Sequence, residues 1–388
     1  MRVLHVIPAV AARYGGPSAA LAPMCRALAE AGVDTHIAST DADGSGRLAV
    51  PLGTDTTWDG VPASFFRRDA TESFKYSRGL AQWLNEHVRN FDVVHIHAVL
   101  SHAPLAAAAA CRRANVPYVV RPLGTIASWS LERKAWKKQL LLALGGRRML
   151  QDAAMLHCTS VEEWDDAKRT FGLTRGAVVP LGIDPTLADV PAAVADARAA
   201  DRYVLALSRL HPKKNFGLLI DAFLEAHDEA EAPWRLGIAG AGDDAYEAQL
   251  REQVRKADAK TLVSFAGWVQ GAEKRALVQG ASLFALPSLH ENFGIAVLEA
   301  LTAGVPAMIS KDVQLAADLT AADAGWVVDS THEALSTALH SAMTGERVRA
   351  DKGRAAARMA RQYAWPAIAT RLVDMYTGIV RARTDASH

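Results

Sequence analysis

Two acids, Glu291 and Glu299, stand eight positions apart in the stretch Leu286-Pro-Ser-Leu-His-Glu-Asn-Phe-Gly-Ile-Ala-Val-Leu-Glu-Ala-Leu-Thr-Ala-Gly-Val-Pro306. If the rise between them were helical throughout, about 12 Å would separate them. Carboxylates accept well from pairs of hydroxyls. That span suits a ligand with hydroxyls at both ends and a diphosphate between, which is the build of a nucleotide-sugar. The competing reading of Glu299 alone is a solvated helix residue. The apolar run from Ala281 to Leu286, stopped by Pro287 and Ser288, reads as a buried strand ending in a turn. A helix is predicted from about Gly294, with Ile295, Val297, Leu298 and Leu301 towards one side and Gly304 and Pro306 as its stop. A loop that opens a helix after a strand presents free N–H groups and the positive end of a helix dipole, which suits phosphate. Gly294 allows close approach.

Other residues could serve the same chemistry. Tyr203 to Ser208 reads as a strand, followed by Arg209-Leu-His-Pro-Lys-Lys-Asn215 and a helix from about Phe216. Cations at a strand end facing a helix start can neutralise a diphosphate leaving group; three basic residues in seven are otherwise plain surface charge. Phe91 to Val99 reads as a strand with His95 and His97 on one face, and ligands bind beyond the carboxyl ends of parallel strands. Against that stands the ordinary buried histidine of a core strand. Tyr118 to Thr125 is a strand carrying Arg121. Trp129 to Leu144 combines Arg133, Lys134, Lys137 and Lys138 with Trp129, Trp136 and a leucine run. It is a basic amphipathic helix suited to a membrane surface or an acidic lipid acceptor, or else a surface helix with one buried face. Gly15-Gly16 precedes a helix predicted from Ser18 to Ala31. A Gly-x-Gly-x-x-Gly nicotinamide or flavin motif is absent there. The nearest dinucleotide-like match, Gly240-Ala-Gly242-Asp243-Asp244-Ala245, follows a strand but puts two negative charges where a pyrophosphate would lie. Asp41-Ala-Asp43, an acidic pair in the loop from Thr40 to Thr57, reads as solvated rather than metal-binding.

The pattern Glu-x-Phe-Gly-x-x-x-x-Glu-Ala, closed by Gly-x-Pro, resembles the signature of retaining nucleotide-sugar glycosyltransferases of family four, of the bacterial exopolysaccharide and lipopolysaccharide type. The resemblance implies an α/β protein with the GT-B fold, two Rossmann-like domains facing across a cleft. It further implies that Glu291 lies at the donor sugar, that Asn292, Phe293 and Gly294 bind the donor, Phe293 and Gly294 through backbone amides, and that Glu299 holds the ribose. Arg209, followed five residues on by Lys and Asn, is similar to the family's pyrophosphate clamp; this assigns Arg209 and Lys214 to the clamp, with Lys213 as the competing choice. His97 resembles the pocket histidine that contacts the donor sugar, and Gly15 and Gly16 the glycine loop near the donor phosphates. Arg121, Arg133 and Lys137 fall in the acceptor-side region, although Arg121 is followed by Pro-Leu-Gly, a departure from the family's pattern. The implied reaction needs no metal and no cofactor beyond the nucleotide-sugar co-substrate, and the acceptor is a glycan or lipid-linked sugar. A same-fold nucleotide-sugar epimerase and a nicotinamide-dependent oxidoreductase are the alternatives.

The 388 residues, 50% hydrophobic and carrying a net charge of +1, suffice for two domains and do not point to nucleic acid. The reading divides them into an acceptor-side domain over 1–185, a linker over 186–201 rich in Ala and Asp, and a donor domain over 202–364. A long helix over 365–388 is expected to cross back to the first domain. Cys25, Cys111 and Cys158 lack metal-ligand spacing and are odd in number. With no apolar run long enough for a spanning helix or a signal peptide, the expectation is a protein of the reducing cytoplasm, peripheral to the inner face of the plasma membrane through 129–144.

Overall fold

A computed structural model of the chain describes residues 1–126, 135–230, 233–291 and 293–385. They form two compact units, one of residues 1–182 with the segment from Trp365 onward, the other of Ile183–Ala364.

The first unit holds strands β1 (Arg2–Val6), β2 (Asp34–Thr40), β3 (Ala42–Asp43), β4 (Gly46–Arg47), β5 (Asp55–Trp58), β6 (Val61–Phe66), β7 (Val93–His97), β8 (Tyr118–Arg121), β9 (Met155–Cys158) and β10 (Gly176–Val178). Eight of them make a sheet in the order β10-β9-β8-β7-β1-β2-β6-β5, parallel except where β5 runs against β6. Side chains alternate across a strand. One face of the central strands therefore offers Leu4, Val6, Val94, Ile96, Val120 and Leu156, packed against the helices Arg78–His87 and His102–Ala114 through Leu80, Leu84, Ala103 and Ala107. The other face offers His5, His95, His97, Arg121 and His157, all buried, beneath the C-terminal helix Trp365–Asp385. That helix groups with the first unit.

The second unit is built on an all-parallel sheet of β11 (Tyr203–Leu207), β12 (Arg235–Ala239), β13 (Val263–Gly267), β14 (Leu283–Leu286), β15 (Ala307–Ser310) and β16 (Gly325–Val328), in the order β13-β12-β11-β14-β15-β16. Strands buried on both faces read as continuous apolar runs, which is why Leu283 to Leu286 was recognisable. Two expectations need correction. Residues 186–201 are folded, not a linker: a 3₁₀ turn Pro185–Ala188 leads to the helix Ala192–Ala200, and Arg198 donates to the carbonyl of Gln279 at 2.9 Å inside the second unit. Alanine-rich sequence is a good helix former, and composition alone could not separate the two. The loop from Thr40 to Thr57 carries β3, β4 and the start of β5, and Asp41 is not solvated: 2% exposed, it accepts from the Arg68 backbone N–H at 2.7 Å. Among the described residues no helix is long and apolar enough to cross a membrane.

Candidate functional site

In the second unit, loops leaving β11, β14 and β15, three neighbouring strands, are stitched together at their carboxyl ends. Leu289 N–H donates to the Lys213 carbonyl at 2.8 Å, and Glu291 N–H to the Asp312 carbonyl at 3.1 Å. The Lys214 ammonium pairs directly with the Glu291 carboxylate. Asn215, in the left-handed region at φ 60°, then opens the helix Phe216–Asp228. Lys214 is buried, whereas Lys213 is half-buried and Arg209 exposed. Burial foremost, with the charges of Lys213 and Arg209, pushes the Lys214 ammonium down to about 7.

Gly294 has φ +76° and caps the start of Ile295–Thr302, a conformation that a side chain would strain. Phe293 is buried, its ring edge-on to Tyr363 at 6.1 Å. Asn292 lies outside the described residues. Glu299 is not the solvated helix residue of the plainer reading: it is 9% exposed. Its Oε1 accepts from Lys274 Nζ at 2.5 Å, while its Oε2 is buried with no partner among the described residues. Burial raises the Glu299 carboxyl above the usual carboxylate range, and Lys274 pulls it back.

In the first unit, Gly15 has φ +83° and joins the turn Ala12–Tyr14 to the short helix Gly16–Ala19, of which Gly16 is the first residue. His95 and His97 do share one face, their rings stacked 4.3 Å apart. They belong to a larger polar layer. His5 Nδ1 lies 3.2 Å from His97 Nε2, His157 Nδ1 lies 3.2 Å from His95 Nε2, and His95 Nδ1 lies 2.7 Å from the Tyr376 hydroxyl. Burial holds His5 and His157 down at about 3, and His95 and His97 well below the ordinary imidazole range. Ligating nitrogens of His5, His95 and His97 come within 4.8 Å of one another. Arg121, 1% exposed with none of its guanidinium nitrogens bonded among the described residues, acts electrostatically on these same rings. A divalent cation there would meet a second buried positive charge, so the group is better suited to be a hydrogen-bonded layer of neutral rings. Arg121 thus stands inside this layer and not at an open acceptor surface. Arg133 and the side chain of Lys137 lie outside what the structure describes.

Sequence reasoning missed Lys274, which carries no motif, and missed the extension of the histidine pair to His5, His157 and Tyr376. His5 is at the alternation phase that buries it beside His95, a signal available in the sequence. The glycines behind the oxidoreductase alternative have another use. A Cβ on Gly240 would lie 1.9 Å from the Ser208 carbonyl oxygen, and one on Gly242 would lie 2.2 Å from that of Leu210. Both serve close packing onto the exit of β11, and Asp243 caps the helix Asp244–Lys256 with its own carboxylate.

A sequence profile described as "Glycosyl transferase 4-like domain" matches residues 15–182, and one described as "Glycosyl transferases group 1" matches residues 193–359. The mannosylfructose-phosphate synthase of Agrobacterium fabrum is 35% identical over 114 residues, 28% of this chain and 25% of that protein, so the chain spans about a quarter of that relative's length. The GDP-mannose:cellobiosyl-diphosphopolyprenol alpha-mannosyltransferase of Komagataeibacter xylinus is 24% identical over 100% of this chain and 96% of its own length. The crystal structure of Anabaena Alr3699/HepE in complex with UDP and glucose superposes with a TM-score of 0.76 over 97% of this chain and 100% of that one, at 18% identity, a likeness of fold. Two Rossmann-like units with parallel sheets, the first matched by the glycosyl transferase 4-like model and the second by the glycosyl transferases group 1 model, place the chain among the glycosyltransferases of family four, with the GT-B fold.

Proposed function

We propose that the chain is a retaining, metal-independent glycosyltransferase that moves a sugar from a nucleoside-diphosphate sugar to a glycan or lipid-linked acceptor in bacterial surface polysaccharide synthesis. The observation that carries this reading is the Lys214–Glu291 pair at the joined ends of β11 and β14, beside a helix start and in the same loop–helix segment as a buried carboxylate with one open oxygen. In this reading the diphosphate takes Glu291's place on Lys214. The freed Glu291 accepts from hydroxyls of the donor sugar, the N–H groups at Gly294 and Ile295 face the phosphates, and Glu299 accepts from the ribose. As transfer proceeds, the bond from the anomeric carbon to the phosphate oxygen breaks and the bond to the acceptor oxygen forms on the same face. The acceptor's proton passes to the departing phosphate. Arg209, Lys214 and the helix start stabilise the charge growing on that leaving group; His97 is assigned to the donor sugar, and Arg121 to the acceptor side as a support from within its buried layer.

The relative from Komagataeibacter xylinus, by its name, acts on a diphosphopolyprenol-linked sugar with GDP-mannose, which supports a lipid-linked acceptor here. So do Trp136, Leu140 and Leu144, spaced by four along the helical segment after Ala135 and 66%, 49% and 71% exposed. This stripe and its neighbouring cations suit the headgroup boundary of a membrane, at the inner face of the plasma membrane. The test is transfer by the whole chain from a panel of labelled UDP- and GDP-sugars to polyprenol-linked acceptors, with the anomeric configuration of the product read by NMR. A product of retained configuration supports the proposal. Inversion, or the lack of any nucleoside-diphosphate binding by calorimetry, overturns it.

A further inference from the structure

Lys274 belongs to the helix Gly271–Gly280, and nothing in its sequence surroundings sets it apart from Arg275 beside it. The fold separates them. Arg275 turns to Thr186, donating to its carbonyl at 2.8 Å and its hydroxyl at 2.6 Å, whereas Lys274 turns to Glu299 Oε1. The Lys274 side chain is 33% exposed and that of Glu299 is 11% exposed, so the cation reaches inward from the surface to a carboxylate that is nearly enclosed.

A buried ionised carboxylate is costly unless paired and hydrogen-bonded, and this one is only half satisfied, since its Oε2 has no partner among the described residues. The terminal torsion of a glutamate is broad and roughly two-fold, so a free Glu299 would not hold one oxygen in one direction. Lys274 removes that freedom. We propose that Lys274 is a positioning residue for the donor, holding Glu299 ionised and turned so that Oε2 accepts from the ribose hydroxyls of the nucleotide. Lys274 itself touches no part of the nucleotide in this arrangement. The opposing pulls on the Glu299 carboxyl, burial upward and Lys274 downward, are those expected if the lysine keeps it charged. The inference rests on the donor reading given above.

The experiment is calorimetric titration of the whole chain with UDP and GDP and with their 2′,3′-dideoxy counterparts, on the unaltered protein and on Glu299→Gln, Lys274→Met and Lys274→Arg. The unaltered protein should prefer one ribonucleotide over its dideoxy counterpart by roughly tenfold or more. Glu299→Gln and Lys274→Met should both lose most of that preference, while Lys274→Arg keeps it and every variant binds the dideoxy compound unchanged. If the unaltered protein shows no preference, or Glu299→Gln keeps it, the placement of the ribose at Glu299 fails and this proposal with it. If Glu299→Gln loses the preference but Lys274→Met retains it, the placement stands and the role of Lys274 is overturned. A Lys274→Met chain that binds both compounds equally weakly also overturns it, because the lysine would then be holding the fold and not the carboxylate.

Discussion

Acidification from pH 7 to pH 5 should remove about 4 kcal/mol of folding free energy from the first unit through His5 and His157 alone. Both rings are fully buried and held neutral down to about pH 3, whereas in an unfolded chain they take up a proton near 6.5. Their folded values are depressed, so the stability they confer is complete above the unfolded value and is lost as pH falls from there towards 3. Each withholds nearly one proton over that window, at about 1.4 kcal/mol per pH unit, which gives about 2 kcal/mol per ring by pH 5. His95 and His97, depressed by burial and by neighbouring rings, act in the same direction. Set against a typical net stability of about 5–15 kcal/mol, this leaves the first unit marginal at pH 5. Denaturant midpoints at pH 7, 6 and 5 measure the loss. Because a two-unit chain need not unfold in one step, hydrogen exchange of peptides covering β1 and β7 should locate it. A midpoint unchanged at pH 5, or imidazole resonances of these four residues titrating near 6.5 in the folded protein, would refute the reasoning.

Three further outcomes are expected. Lys214→Ala should weaken nucleoside-diphosphate binding by roughly tenfold or more while Glu291→Ala mainly lowers turnover; with its ammonium at about 7, Lys214 is charged below that value, so affinity should decline as pH rises from 6.5 to 8.5 and the decline should flatten in Lys214→Arg. Calorimetry across pH reads both, and unaltered affinity in Lys214→Ala removes the residue from the phosphate site. Turnover should persist in EDTA if, as proposed, Arg209, Lys214 and the helix start supply the positive charge; loss of activity restored by magnesium or manganese defeats this. Changing Arg133, Lys134, Lys137 and Lys138 together to Glu should reduce co-sedimentation with anionic liposomes, each cation being worth about 1 kcal/mol at such a surface, and leave nucleotide binding unchanged; undiminished co-sedimentation would show an ordinary surface helix.

What could be read from the sequence was local. The run ending at Leu286, the glycine at 294 and the Gly304 and Pro306 stop each act within a few residues, and the strand, loop and helix formed where these signals lie. The choice between a solvated and a buried Glu299 was not local. It depends on Lys274, 25 positions away, just as the environment of His95 depends on Tyr376, 281 positions away. Arg121 shows the same limit from the other side, since its strand-end position was legible but its burial among four imidazoles was set by β1, β7 and β9. The alanine-rich stretch over 186–201 failed for a different reason: a sequence without bulky apolar residues can still fold when a neighbouring element offers carbonyls to an arginine such as Arg198.

The C-terminal helix has a bearing on how the chain is made. The second unit is continuous in sequence, from Ile183 to Ala364, and can begin to fold as it leaves the ribosome, since domains fold as units during synthesis. The first unit cannot be finished at that stage, although almost all of it has already emerged. Its histidine-lined sheet face, with the Arg121 guanidinium among the rings, waits for residues 365–385, and until Tyr376 arrives that face is open to water or to other proteins. Strands β1 and β7 therefore reach their final surroundings only after the second unit has been made, and a ribosome that stalled within the second unit would release a chain with that face uncovered.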